Sequence, residues 1–226
     1  MRRAFIAATV SLRDSFAIAT EWAQANPLTV IAPMTADVEA ESWLQDAGVP
    51  IGVTSKKHSR FTARPQGTLV AWCLDLHDLL DQESQKGVQE VVLVRAHGVH
   101  APWITAHGVE CLAGTPVPAV PEASPAIKAM VQGVTNYVIR NQGLVDERER
   151  WRVIQALTYF RQCGHTFDRD QLSVEALRQG WPGNRVGKLA ELASDVNAGK
   201  RLRFEQRLRP EVVAEWEQTQ TFEHEN

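Results

Sequence analysis

Through the first half of the chain, short apolar runs alternate with stretches whose apolar residues recur every three or four positions. Ala4–Val10, Leu28–Ala32, Pro50–Thr54 and Thr68–Leu74 read as strands, and Glu90–Ala96 contains the most apolar run of all, Val91-Val92-Leu93-Val94. Runs without polar alternation suit strands covered on both faces, as in a parallel sheet. Between them lie amphipathic segments. Leu12, Phe16, Ala19 and Ala23 line one helix face, introduced by Ser11 with Asp14 three residues on; Ala40, Trp43, Leu44 and Ala47 predict a second helix, stopped by Gly48. Asp75 caps a third, which carries Leu76, Leu79 and Leu80. A helical turn around Trp103 and Ile104 then leads to an edge strand, Val109–Leu112.

The pattern changes at Gly114–Pro125, where Pro116, Pro118, Pro121 and Pro125 exclude both helix interior and sheet ladder. Beyond it every period is helical. Ser124-Pro125 opens a helix carrying Ile127, Met130, Val131 and Val134, and Asp146–Cys163 carries Val153, Ile154, Leu157 and Phe160. Asp168 and Gln171 then form an N-cap and N3 pair, flanked by the staple residues Phe167 and Leu172. Val186, Leu189, Ala193 and Val196 mark the helix after Trp181-Pro182-Gly183, and Val212, Val213 and Trp216 mark a short amphipathic helix in the tail. The expected fold is α/β: a Rossmann-like, three-layer, mostly parallel sheet of about five or six strands, followed by a smaller all-helical domain of about four helices. The boundaries expected are an α/β domain over 1–114, a proline-rich hinge over 115–125, a helical domain over 126–210 and an acidic tail over 211–226.

Composition narrows the class. Of 226 residues, 44% are hydrophobic and 23% charged, and no apolar run is long enough for a transmembrane helix, so no membrane partner is expected. The apolar stretch after Met1-Arg2-Arg3 is interrupted by Arg13 and Asp14, and it reads as a first strand rather than a secretory signal. Cys73, Cys111 and Cys163 are widely spaced and odd in number, which speaks against a disulfide framework and for a cytoplasmic setting; Cys73 falls in a strand and reads as core packing. The net charge of −3 makes no magnet for polyanions overall. Basic residues nevertheless exceed acidic ones between Arg140 and Arg209, so any nucleic-acid partner would meet the second half.

The first glycine is Gly48. The first two strand–helix turns therefore lack the residue that lets a backbone wrap a pyrophosphate, and the usual dinucleotide and P-loop fingerprints are missing. No GxSxG elbow or HExxH helix occurs either.

Ligands of open parallel sheets bind beyond the carboxyl ends of the strands. Residues there that fit ligand binding are Ser11, Thr35, Ser55 and Lys56, although Ser11, Thr35 and Asp75 suit helix caps equally well. The most chemically loaded stretch is His97-Gly98-Val99-His100. With Asp75 and His77, its two imidazoles form the candidate catalytic set for proton transfer, with or without a metal, whose identity and ligands the sequence leaves unknown, as it does any cofactor. In the second half, the helices around Asp168–Gln179 and Asn184–Ala198 have helix-turn-helix proportions, making Arg185, Lys188, Lys200, Arg201 and Arg203 candidate nucleic-acid contacts; packing as an ordinary helical bundle is the plainer alternative. Three functions are therefore weighed: a non-catalytic protein binding a protein partner or small molecule in the crevice between the sheet edge and the helical domain, a histidine-based enzyme, and a DNA-associated regulator.

Overall fold

A computed structural model describes residues 1–24, 26–55, 59–137, 144 and 146–219. They form two compact units, Met1–Ala119 and Val120–Asn226, divided within the proline-rich stretch.

The first unit is an α/β fold on a sheet of six strands: β1 (Arg2–Ala7), β2 (Leu28–Ala32), β3 (Ile51–Val53), β4 (Gly67–Trp72), β5 (Val88–Ala96) and β6 (Glu110–Ala113). Their spatial order is β3-β2-β4-β5-β1-β6, and every pairing is parallel. Parallel neighbours need crossovers, and these are supplied by α1 (Leu12–Ala23), α2 (Thr35–Glu39), α3 (Ser42–Asp46), α4 (Leu76–Glu83) and α5 (Ala101–His107), the last preceded by a 3-10 turn at Gly98–His100. All six residues of β4 are buried, as its unbroken apolar run requires.

Chain order explains the layering. The chain steps one way along the sheet from β1 to β2 to β3, then the other way through β4, β5 and β6. Right-handed crossovers place helices from the two series on opposite faces. Accordingly Ala4, Ile6, Val30, Ala32, Val70, Trp72, Val92 and Val94 form one buried face with Ala19 of α1, Val38 of α2 and Leu44 of α3. On the other series, α4 packs on β4 and β5, and Trp103 of α5 donates its indole N–H to Glu83 at the end of α4 (2.7 Å).

Three local expectations change. The first strand ends at Ala7 rather than Val10, because the chain turns there, with Val10 N–H donating to the Ala7 carbonyl at 3.1 Å. The stripe over Ala40–Ala47 belongs to two short helices, broken at Glu41, whose backbone is not helical. Cys73 is not in β4: the strand stops at Trp72, and Cys73 follows in a left-handed conformation (φ 56°).

The second unit contains α6 (Pro125–Thr135), α7 (Glu147–Gln162), α8 (Arg169–Arg178), α9 (Gly183–Asn197) and α10 (Pro210–Gln218). The caps follow the sequence closely. Ser124, Asp146 and Asp168 each accept from a backbone N–H of their own first turn. Helix α8 packs on α9, α6 on α8 and α7 on α9, while α10 returns onto α6 and α7. Val213 is buried there, and the Trp216 indole lies so close over Gly133 that any Cβ at that position would collide with it. The tail helix therefore docks on its own chain. The connection before α10 is held by Gln155 of α7. Its carboxamide oxygen accepts from Arg207 and Leu208 N–H (2.9 Å each), and its nitrogen donates to the Leu208 carbonyl (2.8 Å).

Candidate functional site

At the carboxyl ends of β1, β4 and β5 a cavity of about 420 Å³ opens, lined by residues of β1–α1, α2 and the ends of β4 and β5. The place follows from topology. β2 and β4 are neighbours whose chains leave in opposite directions, toward β3 and β5, so a crevice opens at their carboxyl ends.

Two backbone irregularities shape it. β1 pairs Ile6 with Val94 and Ala7 with Ala96, so Arg95 is an extra residue bulged out of the ladder, at φ 64°. On the adjacent strand end, Cys73 is also left-handed, its N–H donating to the Val94 carbonyl at 3.3 Å. Side chains with a Cβ rarely adopt this conformation, which costs roughly 1–3 kcal/mol where it is strained. A bulge at this place re-aims a side chain, here the exposed Arg95 guanidinium at the cavity wall. The α2 side contributes Asp37 and Glu41, while Leu12, Ala40 and Leu74 supply apolar lining and His97 completes the rim.

Cys73 reports the balance of forces. Burial pushes its thiol up to about 11, with Arg95 pulling it down and Asp37 and Glu41 pushing it up. At neutral pH it is a thiol, a poor nucleophile and a poor metal ligand.

The candidate residues from the sequence do not all converge on this cavity. His97 lines it. Ser11 caps α1, accepting from Asp14 N–H (3.2 Å) and donating to the Asp14 carboxylate (2.6 Å), which places a negative charge where a phosphate would need to bind. His100 is 1% exposed with both ring nitrogens engaged by main chain: Nδ1 accepts from His97 N–H (3.2 Å), and Nε2 faces the Leu74 carbonyl (2.9 Å). Those partners select the tautomer with hydrogen on Nε2, and burial lowers its pKa, so the neutral ring braces the β5–α5 turn against the end of β4. No lone pair is left for a metal or a substrate proton.

Asp75 caps α4, its Oδ1 accepting from Asp78 N–H at 2.7 Å. Asp75, His77 and Asp78 do offer ligand atoms within 4.8 Å of one another, but the first two are exposed, and Asp78 also accepts from Thr54 Oγ1 (2.5 Å). Thr35 is not the cap of α2; Met34 holds that position, and the Thr35 hydroxyl instead bonds to Ser59 Oγ (2.8 Å). Ser55 donates its backbone N–H to the Pro33 carbonyl (3.1 Å), and Lys56 lies outside the described residues.

In the second unit, α8 and α9 form the packed pair the sequence suggests, yet α8 is buried from Leu172 through Leu177. Lys188 pairs with Glu191 (2.8 Å) and Lys200 with Asp195 (2.7 Å), while Arg185 is only partly exposed. Arg201 and Arg203 are exposed on an extended segment that belongs to no strand. Of the five candidate nucleic-acid contacts, the two lysines are thus engaged with acids of their own chain.

Residues 123–217 match a family model described as a domain of unknown function, DUF1889. The match spans less than half of the chain and takes in nearly all of α6–α10. No curated protein and no solved structure matches the chain. No helix among the described residues is long and apolar enough to cross a membrane.

Two of the lining residues, Arg95 and Cys73, are not legible as site residues from the sequence. The only sequence signal was position: both lie at the carboxyl ends of predicted strands, where His97 and Asp75 drew attention on chemical type.

Proposed function

We propose that the α/β unit binds a small polar molecule in the cavity at the carboxyl ends of β1, β4 and β5, without catalysis by the histidines beside it. The observation that carries this reading is the pair of left-handed, non-glycine residues on adjacent strand ends, Cys73 and Arg95, both lining the cavity. Local backbone cost of this kind concentrates where a fold holds a group in place for a ligand. The volume of about 420 Å³ falls in the range of small-molecule sites. A nucleotide is disfavoured by the glycine-free β1–α1 turn and by the Asp14 carboxylate at the start of α1. Separate engagements of Ser11, Asp75 and His100 argue against a shared catalytic centre. The three free cysteines suit a reducing, cytoplasmic setting.

The test is a metabolite screen read by thermal unfolding of the full chain, repeated on Ala40→Trp, which fills the cavity. Hits that stabilise the parent protein and lose their effect in the variant support the reading. Hits that act equally on both, or no hits at all, count against it.

A further inference from the structure

The cavity holds opposite charges that do not neutralise each other. Arg95 lines one wall and Asp37 and Glu41 another, yet among the described residues none of the three takes part in an ion pair. The acids are positioned by their own neighbourhood. Asp37 Oδ2 accepts from Met34 N–H (3.0 Å) and Glu41 Oε2 from the Trp43 indole N–H (2.5 Å), interactions that orient each carboxylate without removing its charge. Arg95 is the bulged residue at the end of β5, outside the sheet ladder. Between these walls sits Cys73, whose thiol feels all three charges.

We propose that the ligand is a small zwitterion, an amino-carboxylate whose carboxylate meets the Arg95 guanidinium and whose ammonium group meets Asp37 and Glu41. This rests on the reading of the cavity as a binding site and adds the chemistry of its occupant. A guanidinium fork matches a carboxylate in two parallel hydrogen bonds, and an ammonium group offers three donors to the two acids. Simpler ligands fit less well. Phosphate or a dicarboxylate would meet Asp37 and Glu41 with like charge, and a polyamine would meet Arg95 in the same way. The apolar lining at Leu12, Ala40 and Leu74 leaves room for a hydrocarbon portion.

Cys73 supplies a local readout on the intact protein. The full chain is alkylated with iodoacetamide at pH 9, and modification of Cys73 is followed by peptide mass spectrometry, apart from Cys111 and Cys163. The probes are leucine and 6-aminohexanoate as zwitterions, hexanoate and hexylamine as singly charged controls, and inorganic phosphate. The expected result is protection of Cys73 by one or both zwitterions at concentrations where the controls do nothing. Arg95→Gly, which removes the guanidinium and suits the positive φ, and Glu41→Gln should each weaken that protection by about tenfold, as loss of one charge-assisted contact requires. Protection by hexanoate, hexylamine or phosphate at equal strength would overturn the zwitterion while leaving the cavity as a binding site. Failure of all these probes, while a screen hit that is not an amino-carboxylate protects Cys73, would likewise reject the zwitterion alone. If none of the probes protects Cys73 and no screen hit loses its effect in Ala40→Trp, the zwitterion and the binding site fall together.

Discussion

Single residues divide here into those whose neighbours lie nearby in sequence and those whose neighbours arrive through the fold. His100 and His107 belong to the second kind. Burial lowers both pKa values, and for His107 the Arg3 charge lowers it further while Glu83 opposes. With folded-state pKa values below 6.5, the unfolded chain takes up protons at these sites first on acidification. Each histidine therefore contributes stability above pH 6.5 that is lost as pH falls through the folded pKa. Urea unfolding at pH 7.5 and 5.5 should show the first unit weakening at the lower pH, with a smaller change in His100→Gln. Glu83 is the matching acid: 7% exposed, it accepts from the Trp103 indole and pairs with Arg3. Glu83→Ala should destabilise the first unit by roughly 3 kcal/mol, because it strands a half-buried cation and a buried N–H. Glu83→Gln should cost less, since its amide oxygen still accepts from Trp103. Nothing in the spacing of Arg3, Glu83 and Trp103 announces this cluster.

Among elements, the helix starts were the most legible feature. Ser11, Asp75, Ser124 and Asp168 cap as their spacing indicates, because a cap bonds within its own first turn and needs no tertiary partner, whereas Thr35 does not, Met34 holding that position. The helical spacing of Ala40, Trp43, Leu44 and Ala47 predicts one helix, and that spacing is indifferent to a backbone break at Glu41. A short amphipathic tail helix can dock on its own chain or on a partner, and the fit of Trp216 on Gly133 decides for its own chain. Gly133→Val should therefore loosen α10 at a cost of about 1–3 kcal/mol, with faster amide exchange in α10 as the direct readout. The strap before α10 gives a second check. Gln155→Leu removes three hydrogen bonds to the Arg207–Leu208 backbone and should lower stability by about 3 kcal/mol, whereas Gln155→Glu, which keeps the acceptor, should retain part of it.

For the whole molecule, each compact unit has its own buried core, and the match over residues 123–217 follows the second one. We expect residues 120–226, produced alone, to unfold cooperatively by circular dichroism; a gradual, non-cooperative melt would count against its autonomy. The sequence by itself determined the class of fold: apolar runs without polar alternation demand a sheet covered on both faces, helical periods supply the cover, and prolines interrupt both. It also determined that the first strand–helix turn carries no glycine for a phosphate. Strand order, the bulge at Arg95 and the left-handed backbone at Cys73 were decided only in three dimensions. Periodicity records which side of an element is buried and not which element lies beside it, while a bulge arises from the register between two strands that meet only when the sheet assembles.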